Sequence, residues 1–257
     1  LLATAVTGQQ LYVGPADVPV PRWAEASSFD SLTVPFCRGY YTSSRYEANG
    51  AGWYTDYPGA DINFLVRLGE LTHVRPGQHV VVRLDSPLLM NCPLLYMSDV
   101  GTMSLGRAEI AGLQAYLSKG GLLWVDDFWG SDAWDQWVRT IRLVLPDAQM
   151  VGIPASHPVF HQQYNLTGIW QQPTTGLWLL DEEGHRITSE RGNDSVEAHM
   201  RGMLDRDGHL NVIMTHNTDI ADGWEAAEQA ENIDYFRAFS YKSYALGVNL
   251  VLYTLTH

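Results

Sequence analysis

Basic residues are scarce in this chain. Lys and Arg number 16 against 29 Asp and Glu, a formal net charge of −13, and no cluster of cations interrupts the acidic background. Nucleic acids and anionic membrane surfaces are both recognised by basic patches, so neither is expected as a partner. Cysteine is equally rare. Cys37 and Cys92 are too few for a disulfide scaffold or a structural zinc site, and spacing alone leaves open whether they pair with each other. No segment approaches the roughly 20 apolar residues of a membrane span. There is no phosphate-binding Gly-rich loop, no G-x-G-x-x-G and no G-x-S-x-G elbow, which argues against nucleotide cofactors and serine hydrolase chemistry. Cys37 lies in Phe-Cys-Arg and Cys92 in Asn-Cys-Pro, neither of them a glycine-flanked turn. No His is followed two positions later by Glu. A cysteine–histidine–glutamate amidotransferase triad is therefore missing.

What is present is the material of a packed globule. Hydrophobic residues make up 46% of 257, and charged residues 18%. That length fits one large α/β domain over residues 31–257. Ahead of it, Leu1 to Gln10 reads like the end of a signal peptide, with small residues at Ala3-Thr4-Ala5. Residues 11–30, with Pro15, Pro19 and Pro21, read as an extended arm. Export to a periplasmic or extracellular space is the expectation.

Within the domain, Thr33–Cys37 reads as a first strand that delivers Arg38, Tyr40 and Tyr41 at its end. A helix follows, with Ile62, Leu65 and Val66 on one face; Asp56, just ahead of Pro58, stands where a capping residue would. Val80–Leu84 and Leu94–Met97 are apolar runs of strand length. Ser104 precedes an amphipathic helix (Ile110, Leu113, Leu117) that Gly120-Gly121 ends, and Leu122–Val125 returns as a strand. That strand–helix–strand unit implies a right-handed crossover and a mostly parallel sheet. A helix over about 132–145, an irregular region at 160–198, a hairpin turning at Asp205-Arg206-Asp207-Gly208 and a closing helix over about 239–253 complete the pattern.

In an open parallel sheet, ligands bind beyond the carboxyl ends of the strands. Arg38, Asp127 and Asn217 follow three separate strands and are expected around one hollow there. Asp126-Asp127 is the strongest chemical feature: one carboxylate can face the cleft while the other caps a helix or pairs with Arg38. Such a pair serves acid–base work or holds a metal. His157, four residues before His161, is a candidate helper, although Pro158 between them makes a zinc site a poor reading.

The stretches Arg38-Gly39-Tyr40-Tyr41, Trp53-Tyr54-Thr55-Asp56-Tyr57-Pro58, Val125-Asp126-Asp127-Phe128-Trp129-Gly130 and His216-Asn217-Thr218-Asp219 together resemble a bacterial domain-of-unknown-function family. That family is grouped with the class I glutamine amidotransferase-like folds. The resemblance implies a flavodoxin-like three-layer sandwich with a β-hairpin excursion, exported or envelope-associated. The wider superfamily includes sugar-utilisation proteins that also lack the cysteine. Two functions stay open at this level. One is a non-catalytic domain binding a small polar ligand, carbohydrate above all, or an envelope protein, through Arg38, Tyr41, Trp53, Asp56, Asn63, Trp129, Asn217 and Asp219, with no resident cofactor. The other is a hydrolase or lyase acting on a carbohydrate or ester, with Asp126 or Asp127 as acid or base, His157 assisting and a divalent metal contributing.

Overall fold

Strand alternation organises the molecule. The computed structural model describes residues 20–178, 184–225 and 233–257; most of the signal-like start and the arm, residues 1–19, lie outside them. Seven strands form one sheet in the order β3-β1-β4-β6-β9-β8-β7. Here β1 is Val34–Tyr40, β3 Pro76–Arg83, β4 Leu94–Ser98, β6 Leu122–Asp126, β7 Gln149–Gly152, β8 His199–Leu204 and β9 Leu210–His216. Pairing is parallel from β3 through β9, and β8 and β7 extend the edge in antiparallel fashion. A separate two-stranded ribbon pairs β2 (Thr42–Ser43) with β5 (Met103–Ser104) in antiparallel fashion.

Every residue of β4 and β6 is buried, so these strands carry apolar side chains to both faces. Leu95, Met97, Leu123 and Val125 enter one core with Leu113 and Leu117 of α2 (Arg107–Ser118) and Trp137 and Ile141 of α3 (Gly130–Val144). Leu94, Tyr96, Leu122 and Trp124 enter a second core with Phe64 and Leu68 of α1 (Gly59–Leu71) and Leu246 and Leu250 of α6 (Tyr241–Thr256). Short helices α4 (Asp222–Glu225) and α5 (Ile233–Tyr235) and a π-turn, Phe236–Ser240, precede α6.

Several sequence expectations shift in register. β1 extends to Tyr40, so Arg38 lies inside the strand instead of after it. Pro58 takes the cap position of α1 without a side-chain bond, and Asp56 does not cap it. Ser104 belongs to β5, and the N-cap of α2 is Gly106, whose N–H donates to Glu109. A propensity reading misplaces such ends because the cap is chosen by tertiary neighbours. The arm has a structural role where it is described: the backbone of residues 22–24 bonds to Val81 and covers the outer edge of β3.

Cys37 and Cys92 form a disulfide, with Cα atoms 5.9 Å apart. It ties β1 to the residue that enters β4, two neighbours in the sheet separated by 55 positions in sequence.

Candidate functional site: a carboxylate cluster at the strand ends

Three adjacent strands finish in the same way. The residues just past β4, β6 and β9 are Asp99, Asp127 and Asn217, and all three adopt left-handed backbone with φ of 50°, 53° and 59°. Asp and Asn tolerate that region better than other non-glycine residues because their short polar chains bond locally. The turns are also tied together, Asp99 N–H donating to Asp126 O and Asn217 N–H to Phe128 O. Each strand is thus turned sharply at one level of the sheet, where its next side chain meets the incoming loops.

Carboxylates converge on this rim. Asp56, itself left-handed at φ 62°, arrives from the loop before α1, and Asp219 and Asp222 from the segment after β9. Oxygens of Asp56, Asp127 and Asp219 lie within 4.8 Å of one another, as do those of Asp56, Asp222 and Glu225. Asp56 is common to both groups. Its Oδ2 is buried and has no hydrogen-bond partner. The others are partly held: Asp127 Oδ1 accepts from Trp129 Nε1 at 2.9 Å, and Asp219 Oδ1 from Asp222 N–H at 2.8 Å. Asp222 Oδ2 accepts from Thr175 N–H and Tyr235 OH.

Burial and mutual repulsion dominate their titration. Burial lifts Asp56, Asp127 and Asp219 well above the ordinary carboxylate range, and the charges of their neighbours add to it. Asp222 is pushed up to about 7 by burial and by Glu225, against the bonds from Tyr235 and Thr175. Beside the cluster, Asp127 also lines a small hollow with Glu47, Asp99, Trp129, Glu190 and Arg191. Asp99 is raised to about 7 by burial, opposed by the Gly52 N–H that its Oδ2 accepts at 2.7 Å.

The sequence-derived candidates divide into two groups. Asp56, Asp127, Trp129 and Asp219 come together at this rim. Arg38 does not open onto it: the guanidinium is fully buried, paired with Asp61 on α1, and donates to Trp53 O and Thr55 O. Asp126, expected to share the chemistry of Asp127, faces the other way. Its oxygens accept from Ile220 N–H, Ala221 N–H, Thr215 Oγ1 and Tyr96 OH, so it fixes the segment that carries Asp219 and Asp222. Tyr41 OH donates to Ser98 O and Asp99 O, bracing the β4 turn. Trp53 packs between Tyr40, Tyr54 and Tyr57, and Asn63 Nδ2 donates to Trp224 O. Asn217 spends its amide on Gly130 N–H and Glu197 O. His157 caps a short turn, accepting from Val159 N–H, and its ring stands against Tyr253.

Asp99, Asp222 and Glu225 escaped the sequence reading. Asp222 and Glu225 bracket Gly-Trp three positions apart, spacing that puts both on one side of a helical turn, and Asp219 lies three positions earlier. That i, i+3, i+6 acidic series was the available signal.

A family model described as a domain of unknown function, DUF4159, matches residues 42–255. No curated protein matches the chain.

Proposed function

The chain belongs to the DUF4159 family of domains of unknown function, and from its carboxylate cluster we propose that it holds a hard divalent cation, calcium or magnesium, and uses it to bind an oxygen-rich polar ligand. The observation that carries this reading is Asp56, whose buried Oδ2 has no hydrogen-bond partner and whose carboxylate has an oxygen within 4.8 Å of Asp127 and Asp219 oxygens. Buried polar atoms are nearly always satisfied, and each exception needs a physical reason. Three enclosed carboxylates cannot all ionise beside one another unless a positive charge joins them. The nearest strong cation, Arg38, is already committed to Asp61. A cation with oxygen preference supplies the missing charge and partner together. Asp56, Asp127 and Asp219 are the first ligand set; Asp222 and Glu225, which share Asp56, offer room for a second ion.

Calcium takes six to eight oxygens, more than three monodentate carboxylates provide. Hydroxyls of a carbohydrate complete such a shell, and this is the support for a carbohydrate ligand at the cluster; Trp129, buried and bonded to Asp127, stands behind the carboxylate. A second reading, metal-assisted hydrolysis of a carbohydrate or ester, is favoured by Asp99. Its carboxyl, raised to about 7, lines the same hollow as Asp127 and suits an acid–base role better than the fully bonded Asp126.

The strand order β3-β1-β4-β6-β9 is the 2-1-3-4-5 order of flavodoxin-like sheets when the parallel strands are renumbered, and it supports a three-layer sandwich of amidotransferase-like type. The disulfide supports export, since such bonds persist in oxidising compartments.

The test is calorimetric titration of chelator-treated protein with Ca²⁺, Mg²⁺ and Zn²⁺, followed by a glycan array with and without the best ion. Saturable binding of one or two equivalents of Ca²⁺ or Mg²⁺, abolished in Asp56→Asn, is the expected result. Millimolar ion that neither binds nor raises Tm sinks the proposal. Metal binding without any ion-dependent glycan, together with turnover of an ester or glycoside substrate, selects the second reading.

A further inference from the structure

We propose that the loop over residues 46–50 is a strap across the carboxylate rim, latched by Arg191, which lifts to admit the ligand and closes behind it. This role rests on the reading of that rim as a cation and polar-ligand site and adds the way in. The hollow beside Asp127 encloses about 160 Å³, even with space open to solvent counted. Small-molecule sites run from about 300 Å³ upward, so the hollow as it stands does not receive a sugar or a ligand of similar size. One of its walls has to move.

The lining comes from three places. Asp99 and Asp127 follow β4 and β6, and the Asp99 turn is tied to the end of β6 through the main chain. Glu190 and Arg191 belong to a segment that is itself pinned. Glu190 Oε1 accepts from Thr174 N–H at 2.8 Å, and Arg191 N–H donates to Ser195 Oγ at 2.9 Å. Glu47, Ala48, Asn49 and Gly50 form the remaining wall, and it has the least behind it. No residue of 42–51 is buried, and Tyr46 is 89% exposed. Segments without buried apolar contacts open at the lowest cost.

The loop is fastened at both ends. Ser44 N–H donates to Thr102 O and Arg45 Nη2 to Gly101 O on one side, and Gly52 N–H donates to Asp99 Oδ2 on the other. Between these points, among the described residues, its bonds to the body of the molecule all go to one pair of neighbours. Arg191 Nη2 donates to Ala48 O at 2.8 Å and stands 3.5 Å from Glu47 Oε2, while Asn49 Nδ2 donates to Glu190 Oε2 at 3.3 Å. Both hydrogen bonds are exposed, and exposed polar contacts of this kind are individually weak. In the closed position the strap lies directly on the rim. A Cβ at Gly50 would stand 2.5 Å from Asp99 Oδ2, so only glycine allows so close an approach. Fixed ends, a middle without core contacts and a single two-residue catch are the parts of a lid.

The experiment is stopped-flow uptake of Tb³⁺, a luminescent stand-in for Ca²⁺ excited through tryptophan, by the full chain and by the double variant Ala48→Cys, Arg191→Cys. The two changes remove the latch, and a short bis-maleimide joining the new thiols replaces it covalently; Cys37 and Cys92, being bonded to each other, do not compete. The unbridged form is expected to take up and release Tb³⁺ about five-fold faster than the parent, with Kd within about three-fold, and the bridged form roughly ten-fold slower than the unbridged one. Damage to the site would instead weaken Kd without quickening uptake. That result overturns the strap, as do equal rates in all three forms. If the parent binds no Tb³⁺, the cation reading fails by itself, and the strap is judged by chymotryptic cleavage after Tyr46. Cleavage should then be about five-fold faster in the unbridged form and arrested in the bridged one; unchanged cleavage overturns the strap as well. Should the double variant fail to fold, Glu47→Gln, which breaks the ion pair with Arg191, carries the same expectations of faster uptake and faster cleavage.

Discussion

Single side chains at the carboxyl rim have been sorted into two jobs, and mutation separates them. Arg38 and Asp61 form a fully buried ion pair. Removing one partner strands the other charge, so Arg38→Ala should cost about 3–5 kcal/mol in urea unfolding. The cost should appear with and without divalent ion, because the Asp61 charge is stranded in both. Asp127→Asn should behave in the opposite way. It relieves repulsion among enclosed carboxylates, so the ion-free protein should be as stable as the parent or more so. The gain from saturating ion, about 2.7 kcal/mol at one hundred times Kd for the parent, should disappear. A drop of several kcal/mol in ion-free Asp127→Asn would mean that the carboxylate is a structural bond like Asp126. These roles were only half legible in the sequence. Asp127 and Asp219 were picked out because acids that follow strands face the ligand-binding rim, and Asp56 because it stands ahead of Pro58 in a stretch that carries the family resemblance. Arg38 was misjudged because a strand boundary drawn at Cys37 put its side chain in a loop, whereas three further residues of β1 carry it into the second core beneath Tyr96.

Among the elements, the join between β1 and β4 is held covalently. The Cys37–Cys92 bond closes a loop of 55 positions, which by chain entropy restrains the unfolded state by about 4 kcal/mol. Reduction should therefore lower stability by a few kcal/mol without changing the sheet order, measured as a fall in the urea midpoint. The m-value should hold or rise, since the unfolded chain without its cross-link exposes more surface; a fall in m would mean that the native fold has changed. The strand–helix–strand unit from Leu94 to Asp126 was readable because both strands are continuous apolar runs and α2 carries a clear stripe. The short strands β2, β5 and β7 were not readable: each is four residues or fewer and takes its conformation from a neighbouring strand instead of from its own pattern.

For the whole molecule, the acidic balance has a consequence for pH. Asp99, Asp126 and Asp222 are each raised to about 7 in the fold, burial being the first cause in every case. An acid whose folded pKa lies above its unfolded value favours the folded state at low pH, and that advantage is lost as pH rises through the folded value. Ion-free protein should therefore lose stability between about pH 4 and pH 8, most steeply around pH 5 to 6, where the unfolded acids are ionised and the folded ones still hold their protons, and saturating cation should flatten the upper part of that profile. Thermal unfolding across the range, with and without calcium, checks this. An ion-free protein most stable at pH 8 would contradict the picture of enclosed, mutually repelling acids. The sequence by itself determined the class of fold, the parallel run of buried strands and the acidic charge balance, because these follow from periodicity, run length and charge, all local or additive properties. Only the tertiary structure decided which acids meet and which are spent on backbone bonds. Those outcomes depend on distances between residues as far apart in the chain as Asp56, Asp127 and Asp219, and such distances are fixed by how the strands order themselves in the sheet.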